Sequence, residues 1–166
     1  MKLSVLQIPH PLLKSRAHLI EADAPGLQSF IDDMVETMYR HPRCVGLAAN
    51  QVGKPWRVIV VDASRVEKEG TRHGRVIMLN PWIARTEGRK LKREGCLSVP
   101  DYTGNILRAE ALEIHGKDRT GRPLEIRADG FEAEVFQHEL DHLDGQLFLD
   151  RVVSLETDVF RRKRYL

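Results

Sequence analysis

Apolar positions along this chain follow two different periods. From Pro25 the run PGLQSFIDDMVETMYRHP places Leu27, Phe30, Ile31, Met34, Val35 and Met38 at i, i+3, i+4, i+7 spacing. This predicts an amphipathic helix packed on a core and ending before Pro42. The stretch WRVIVVDA (56–63) is rich in β-branched residues and predicts a buried strand. RVIMLNPWIARTEG (75–88) predicts a second, broken at Pro81. Over residues 109–130 two alternating runs flank a turn at Asp118 to Gly121, which reads as a hairpin. Residues 131–145 predict a helix, with Asp129 or Gly130 near its start and Gly145 at its stop. A last helix is expected from Ser154 to about Arg162, with Ser154 as N-cap and Glu156 and Asp158 in its first turns. The first twelve residues read as a short extended piece, interrupted at Pro9 and Pro11. Few strands alternate with helices, so the expected class is α+β.

Length and composition narrow this picture. A chain of 166 residues suits one domain, residues 1–166, with a real core. Hydrophobic residues at 42% and charged residues at 30% are normal for a soluble globular protein. The net charge is +2, and Arg161, Arg162, Lys163 and Arg164 at the very end supply much of the positive bias. The remainder is near neutral, which argues against a nucleic-acid-binding face. There is no apolar run near 18 residues, so no membrane span is expected, and the N-terminus has no signal-peptide pattern. Two cysteines, Cys44 and Cys96, are too few for a disulfide scaffold. A cytoplasmic, reducing setting is expected, where free thiols persist.

The chemistry begins at VFQHELDHLDG, Val135 to Gly145, which contains His-Glu-x-x-His. Four residues turn a helix about 40° past one full turn. His138 and His142 therefore share a face and can point at one ion, while Phe136, Leu140, Leu143 and Leu147 lie opposite. Glu139 is offset so that its carboxylate stands beside the ion, where it can take a proton from water. Asp141 and Asp144 are candidates to orient an imidazole through its second nitrogen. A metal needs a third protein ligand. Where a longer zinc motif would place a third histidine the chain has Phe148, and beyond His142 Glu156 is the sole glutamate that a following helix could supply. The strong donor that remains is Cys96, in KREGCLSVP, where Gly95 and Pro100 imply a turn or bent strand. One thiolate and two imidazoles leave a tetrahedral position open, the pattern of a catalytic site.

Three separated stretches, CVGLAANQ (44–51), EGCLS (94–98) and QHELDH (137–142), together resemble the peptide deformylases, in order as well as in content. The resemblance covers most of the chain. It implies antiparallel strands packed around a central HExxH-bearing helix, with an N-terminal amphipathic helix and a C-terminal helix. It implies removal of the N-formyl group from the initiator methionine of nascent polypeptides in the bacterial cytoplasm, releasing formate. By the same resemblance Cys96, His138 and His142 are metal ligands and Glu139 is the general base. The Gln51 side chain and the Leu97 N–H stabilise the formyl oxygen, and Val45, Gly46, Glu94, Gly95, Val135 and Phe131 contact substrate. The resemblance points to Fe²⁺ as the native ion, with zinc, nickel or cobalt able to replace it; the donor set alone suits zinc. Expected partners are N-formylmethionyl peptides and, transiently through the basic tail, the ribosome, with no membrane and no sequence-specific nucleic acid. The chain is expected to be a monomer or weak dimer.

Three departures stand out. Cys44 occupies a place where the family usually has glycine, Thr103 one where many members have a basic residue, and Glu134 one where an apolar or basic residue is common. Two rival readings remain beside this one: a metallopeptidase that cleaves internal peptide bonds, and a deformylase-like protein that binds without turnover.

Overall fold

The computed structural model describes residues 1–163. Its strands form two antiparallel sheets. The larger contains β1 (Gly46–Ala48), β2 (Val58–Val61), β3 (Val76–Glu87), β6 (Ala111–Lys117) and β7 (Pro123–Asp129), side by side in that order. The smaller contains β4 (Lys90–Cys96), β5 (Val99–Arg108) and β8 (Val159–Arg161). Two α-helices accompany them, α1 (Leu27–Arg40) and α2 (Gly130–Leu143).

Period-two alternation in β2 explains the layering. All four of its residues are buried, and successive side chains point to opposite faces. Val58 and Val60 pack with Leu27, Ile31, Met34 and Met38 of α1. Ile59 and Val61 pack with Ala133, Phe136, Leu140 and Leu143 of α2. The large sheet is thus covered by α1 on one face and α2 on the other. On its far side α2 meets the small sheet through ion pairs, Lys92 to Glu134 at 2.7 Å and Arg108 to Asp141 at 2.7 Å.

The expected interruption at Pro81 is absorbed without ending the strand. Asn80 adopts φ 52°, and the register against β6 shifts between Leu79 and Trp82. Proline has no N–H to give the ladder, and a bulge accommodates that. The Asn80 side chain clamps Ile20 in both directions, accepting from its N–H at 2.9 Å and donating to its carbonyl at 2.8 Å.

The expected C-terminal helix is a misreading. Ser154 does begin one turn: its hydroxyl accepts from the Thr157 N–H at 3.4 Å, and the Asp158 N–H reaches the Ser154 carbonyl at 3.0 Å. The turn stops there and β8 pairs with Tyr102–Gly104 of β5. Val153 and Leu155 are 90% and 69% exposed, so a helix here would have no apolar face to bury, and an isolated short helix is marginal in water. Val159 and Phe160 suit a strand, and the edge of β5 offers them a ladder. Arg164 of the basic tail lies outside the described residues. Among those described, no helix is long and apolar enough to cross a membrane.

Phe136 is fully buried between α2 and the large sheet. Phe136→Ala should lower unfolding free energy by about 3–5 kcal/mol, read from the midpoint of urea denaturation at unchanged slope.

Candidate metal centre and active site

Three segments converge on the floor of a cleft of about 1030 Å³. The first is the end of β4. Strands β4 and β5 form a hairpin, and the register slips between Gly95 and Cys96 before the two-residue turn Leu97–Ser98. This irregularity ends the ladder and leaves Cys96 at the strand terminus. The second is α2, which carries His138, Glu139 and His142. The third is β1 with the short 3₁₀ turn Ala49–Val52 that follows it. The extended N-terminal piece ties two of these together: Leu6 N–H donates to the Gln51 carbonyl at 2.7 Å and Ile8 N–H to the Ser98 carbonyl at 3.0 Å.

Cys96 Sγ stands 3.2 Å from His142 Nε2, which stands 3.2 Å from His138 Nε2. Donors bound at about 2.0–2.3 Å in a tetrahedron lie about 3.3–3.6 Å from each other. The three atoms thus have the spacing that a single small divalent ion requires, and their donor chemistry matches it. Burial alone would raise the Cys96 thiol, but the adjacent imidazoles pull it well below its ordinary value, toward the thiolate that binds metal. The same contact, with Glu94, raises His138 against the effect of burial. A cation among these groups would take the place of that shared proton.

A second layer holds the imidazole. Glu94 lies two residues before Cys96 in β4, on the same face of the strand. Its carboxylate meets His138 Nδ1 at 2.7 Å and accepts from Arg108 at 2.6 and 3.0 Å. Burial would raise this carboxyl, yet the bonds from Arg108 and His138 bring it down to about 2. The expectation that Asp141 or Asp144 orients an imidazole is therefore corrected. Asp141 is held by Arg108 and Arg151, and Asp144 by Arg57 at 2.8 Å. Glu94 lines the cleft, and its carboxylate is engaged by His138 and Arg108. Strand alternation carried that signal; Arg108, distant in sequence, carried none.

Glu139 is 3% exposed, and its Oε2 has no hydrogen-bond partner among the described residues. Burial pushes its carboxyl up to about 7. A Cβ at Gly46 would stand 2.8 Å from Glu139 Cδ, so only glycine fits against this carboxylate. Gln51 is oriented by its own 3₁₀ turn: Oε1 accepts from the Ala48 N–H at 3.0 Å, which turns Nε2 toward Ser98 Oγ at 3.1 Å and Cys96 Sγ at 3.4 Å. Leu97, Val45, Gly95, Val135 and Phe131 all line the cleft. Gln137 of the third motif faces elsewhere, bonding both the N–H and the carbonyl of Ala109.

The three departures fall in the cleft walls. Cys44 is buried and its thiol donates to the Gly46 carbonyl at 3.2 Å. Burial, aided by the Glu139 charge, raises it to about 12, so it stays a thiol. The left-handed residue at this bend is Arg43, φ 65°, and not Cys44, so a side chain stands where the family usually has glycine without a positive φ. Glu134 is paired with Lys92, and Thr103 faces Phe160 across the β5–β8 ladder.

Arg108 is 3% exposed and compensates two buried carboxylates. Arg108→Ala should cost about 3–5 kcal/mol of stability in chemical denaturation, because Glu94 and Asp141 lose their counter-charge.

Comparison with known proteins agrees with this geometry. The family model described as polypeptide deformylase matches residues 2–158. The peptide deformylase of Syntrophobacter fumaroxidans is 43% identical over 161 residues, covering 97% of this chain and 92% of its own. A crystal structure of a peptide deformylase from Legionella pneumophila superposes with TM-score 0.84 at 38% identity, covering 94% of this chain and 89% of that one. A Met-Ala-Ser-bound class I type b peptide deformylase from Acinetobacter baumannii superposes with TM-score 0.82 at 33% identity, covering 92% and 99% respectively. Matched over nearly its whole length, the chain belongs to the polypeptide deformylase family.

Proposed function

We propose that the convergence of Cys96, His138 and His142 within hydrogen-bond distances is a catalytic centre for one divalent ion, carried on a central α2 in a single catalytic domain. The activity follows from the family: the chain is a hydrolase that removes the N-formyl group from the N-terminal formyl-methionine of nascent polypeptides. Peptide deformylases are metal-dependent, and an ion at this centre supplies Lewis acidity that makes water nucleophilic near neutral pH. Fe²⁺ is the ion favoured by the family resemblance, with Zn²⁺, Ni²⁺ or Co²⁺ able to serve.

The protein's own groups then do three things. Glu139, with a carboxyl near 7, accepts the proton of the attacking water and passes it to the leaving amine nitrogen. The Gln51 Nε2–H and the Leu97 N–H donate to the oxyanion that forms on the formyl oxygen; one such donor contributes about 3–4 kcal/mol. Glu94, fixed by Arg108, holds His138 in one tautomer with Nε2 facing the ion. Val135, Phe131 and Val45 offer the methionine side chain an apolar wall. The outer edge of β1 at Val45 and Gly46 lies at the end of the large sheet, free among its strands to pair with an extended peptide. The Acinetobacter relative is a Met-Ala-Ser-bound structure. A narrow site at Gly46 and Leu97 would admit a formyl hydrogen and exclude an acetyl methyl. A metallopeptidase reading has no observation in its favour, and the complete set of Cys96, His138, His142, Glu139 and Gln51 speaks against binding without turnover.

The deciding experiment measures formate from a formyl-methionyl tripeptide by protein purified without oxygen, together with bound metal. Glu139→Gln should retain about one metal per chain and lose about 10²–10⁴ in kcat, whereas Cys96→Ala should lose the metal. Formate release unaffected by Glu139→Gln sinks the assignment. In Gly46→Ala the new methyl should displace the Glu139 carboxylate, lowering kcat at least tenfold while metal content and fold, read by circular dichroism, are kept.

A further inference from the structure

The mouth of the cleft carries a charge that the chemistry on its floor does not use. Arg43, Arg93, Arg161, Arg162 and Lys163 all line it. Among the described residues none of the five makes an ion pair. The carboxylates that line the same cleft are accounted for: Glu94 is held by Arg108, Glu134 by Lys92, and Glu139 sits on the floor. Among the described residues the lining of the rim therefore carries an excess of positive charge.

Two of these cations are seated rather than loose. The Arg93 guanidinium stacks on the Phe160 ring, 3.8 Å from its centroid, so that β8 supports a side chain of β4. Arg162 packs where Gly95 has no side chain. A Cβ at Gly95 would lie 3.2 Å from Arg162 Cζ and closer still to its Nη2, and 3.4 Å from Thr103 Cγ2. The backbone holds Arg162 there too, its N–H donating to the Asp101 carbonyl at 2.8 Å. Gly95 is the neighbour of Cys96, and adjacent Cα atoms are about 3.8 Å apart. An extended peptide advances about 3.3 Å per residue. The Arg162 seat thus adjoins the residue next to Cys96, in the same cleft as Gln51 and Glu139. Arg43 stands on the facing lip, just before the β1 edge.

We propose that this chain favours formyl-methionyl substrates with aspartate or glutamate in the two residues after methionine, selected by Arg162 and Arg93 on one lip and Arg43 on the other. The selection rests on the deformylase reading above. It acts on binding, because the cations lie beyond the reacting atoms. Arg162 also explains the acceptance of Thr103: a cation reaches the same Gly95 surface from β8.

The test uses the metal-loaded protein and formyl-Met-Ala-Ser, formyl-Met-Asp-Ser and formyl-Met-Lys-Ser, all as C-terminal amides so that no terminal carboxylate competes. The Asp peptide should exceed the Ala peptide in kcat/KM by about three- to tenfold, the scale of one or two exposed ion pairs, with the difference in KM and the Lys peptide poorest. The ratio should fall toward one in about 0.5 M salt, and in Arg93→Gln/Arg162→Gln at low salt. Affinities of the deformylated Met-Asp-Ser and Met-Ala-Ser amides, measured by calorimetry, should show the same order without turnover. A wild-type Asp/Ala ratio of one, or one unmoved by the double substitution, overturns the proposal. So does a ratio of one combined with Arg162-dependent retention of an RNA oligonucleotide, which assigns the rim to nucleic acid. Formate from no peptide at all, the neutral one included, is a different failure and strikes the deformylase reading itself.

Discussion

One guanidinium joins the two halves of the site. Arg108, at the end of β5, reaches Glu94 on β4 with two nitrogens and Asp141 on α2 with the third. Glu94 is two residues from Cys96, and Asp141 is next to His142. The strand that brings the sulfur and the helix that brings the imidazoles are thus indexed to each other through a fork of fixed geometry. Sulfur–nitrogen and nitrogen–nitrogen separations of 3.2 Å need alignment of this kind, because neither element could hold it alone.

Such an arrangement is costly in isolation. Glu94, Asp141, Glu139 and Arg108 are all buried, and burying a charge is unfavourable unless it is paired and hydrogen-bonded. The fold meets that requirement unevenly. Glu94 and Asp141 are fully engaged by arginine side chains, which makes them scaffolding. Glu139 has an oxygen without a partner among the described residues and a raised carboxyl, which leaves it able to exchange a proton. The apolar layers between α1, the large sheet and α2 supply the rigidity against which this polar cluster is held.

The walls answer a different demand. The floor must be dry and fixed, while the mouth receives a flexible peptide. Accordingly the floor is built from α2 and strand ends, and the mouth from the β1 edge, the Arg43 bend and the β8 segment. Glycine serves both places, giving room to the Glu139 carboxylate at Gly46 and to the Arg162 guanidinium at Gly95.

The local rules of the sequence carried far. The 3.6-residue period of α1, the β-branched run of β2, the hairpin turn at Asp118 to Gly121 and the His138–His142 pair were all legible, because each depends on neighbours within a few residues. Cys96 was legible by elimination of other donors. The last helix was misread because Ser154 does cap a turn, and nothing local announces that the edge of β5 will compete for the backbone that follows. The imidazole partner was misread for a related reason. Asp141 and Asp144 are near the histidines in sequence, but Arg108 and Arg57 claim them, and Glu94 arrives from another sheet. Residue chemistry and short-range pattern determined α1, α2, β2 and the β6–β7 hairpin, and pointed to Cys96, His138 and His142 as candidate donors. Which carboxylate orients, which one is left free to move a proton, and which cations rim the cleft were decided by tertiary structure, since each depends on long-range pairing in a buried, low-dielectric setting where the nearest partner in space prevails over the nearest in sequence.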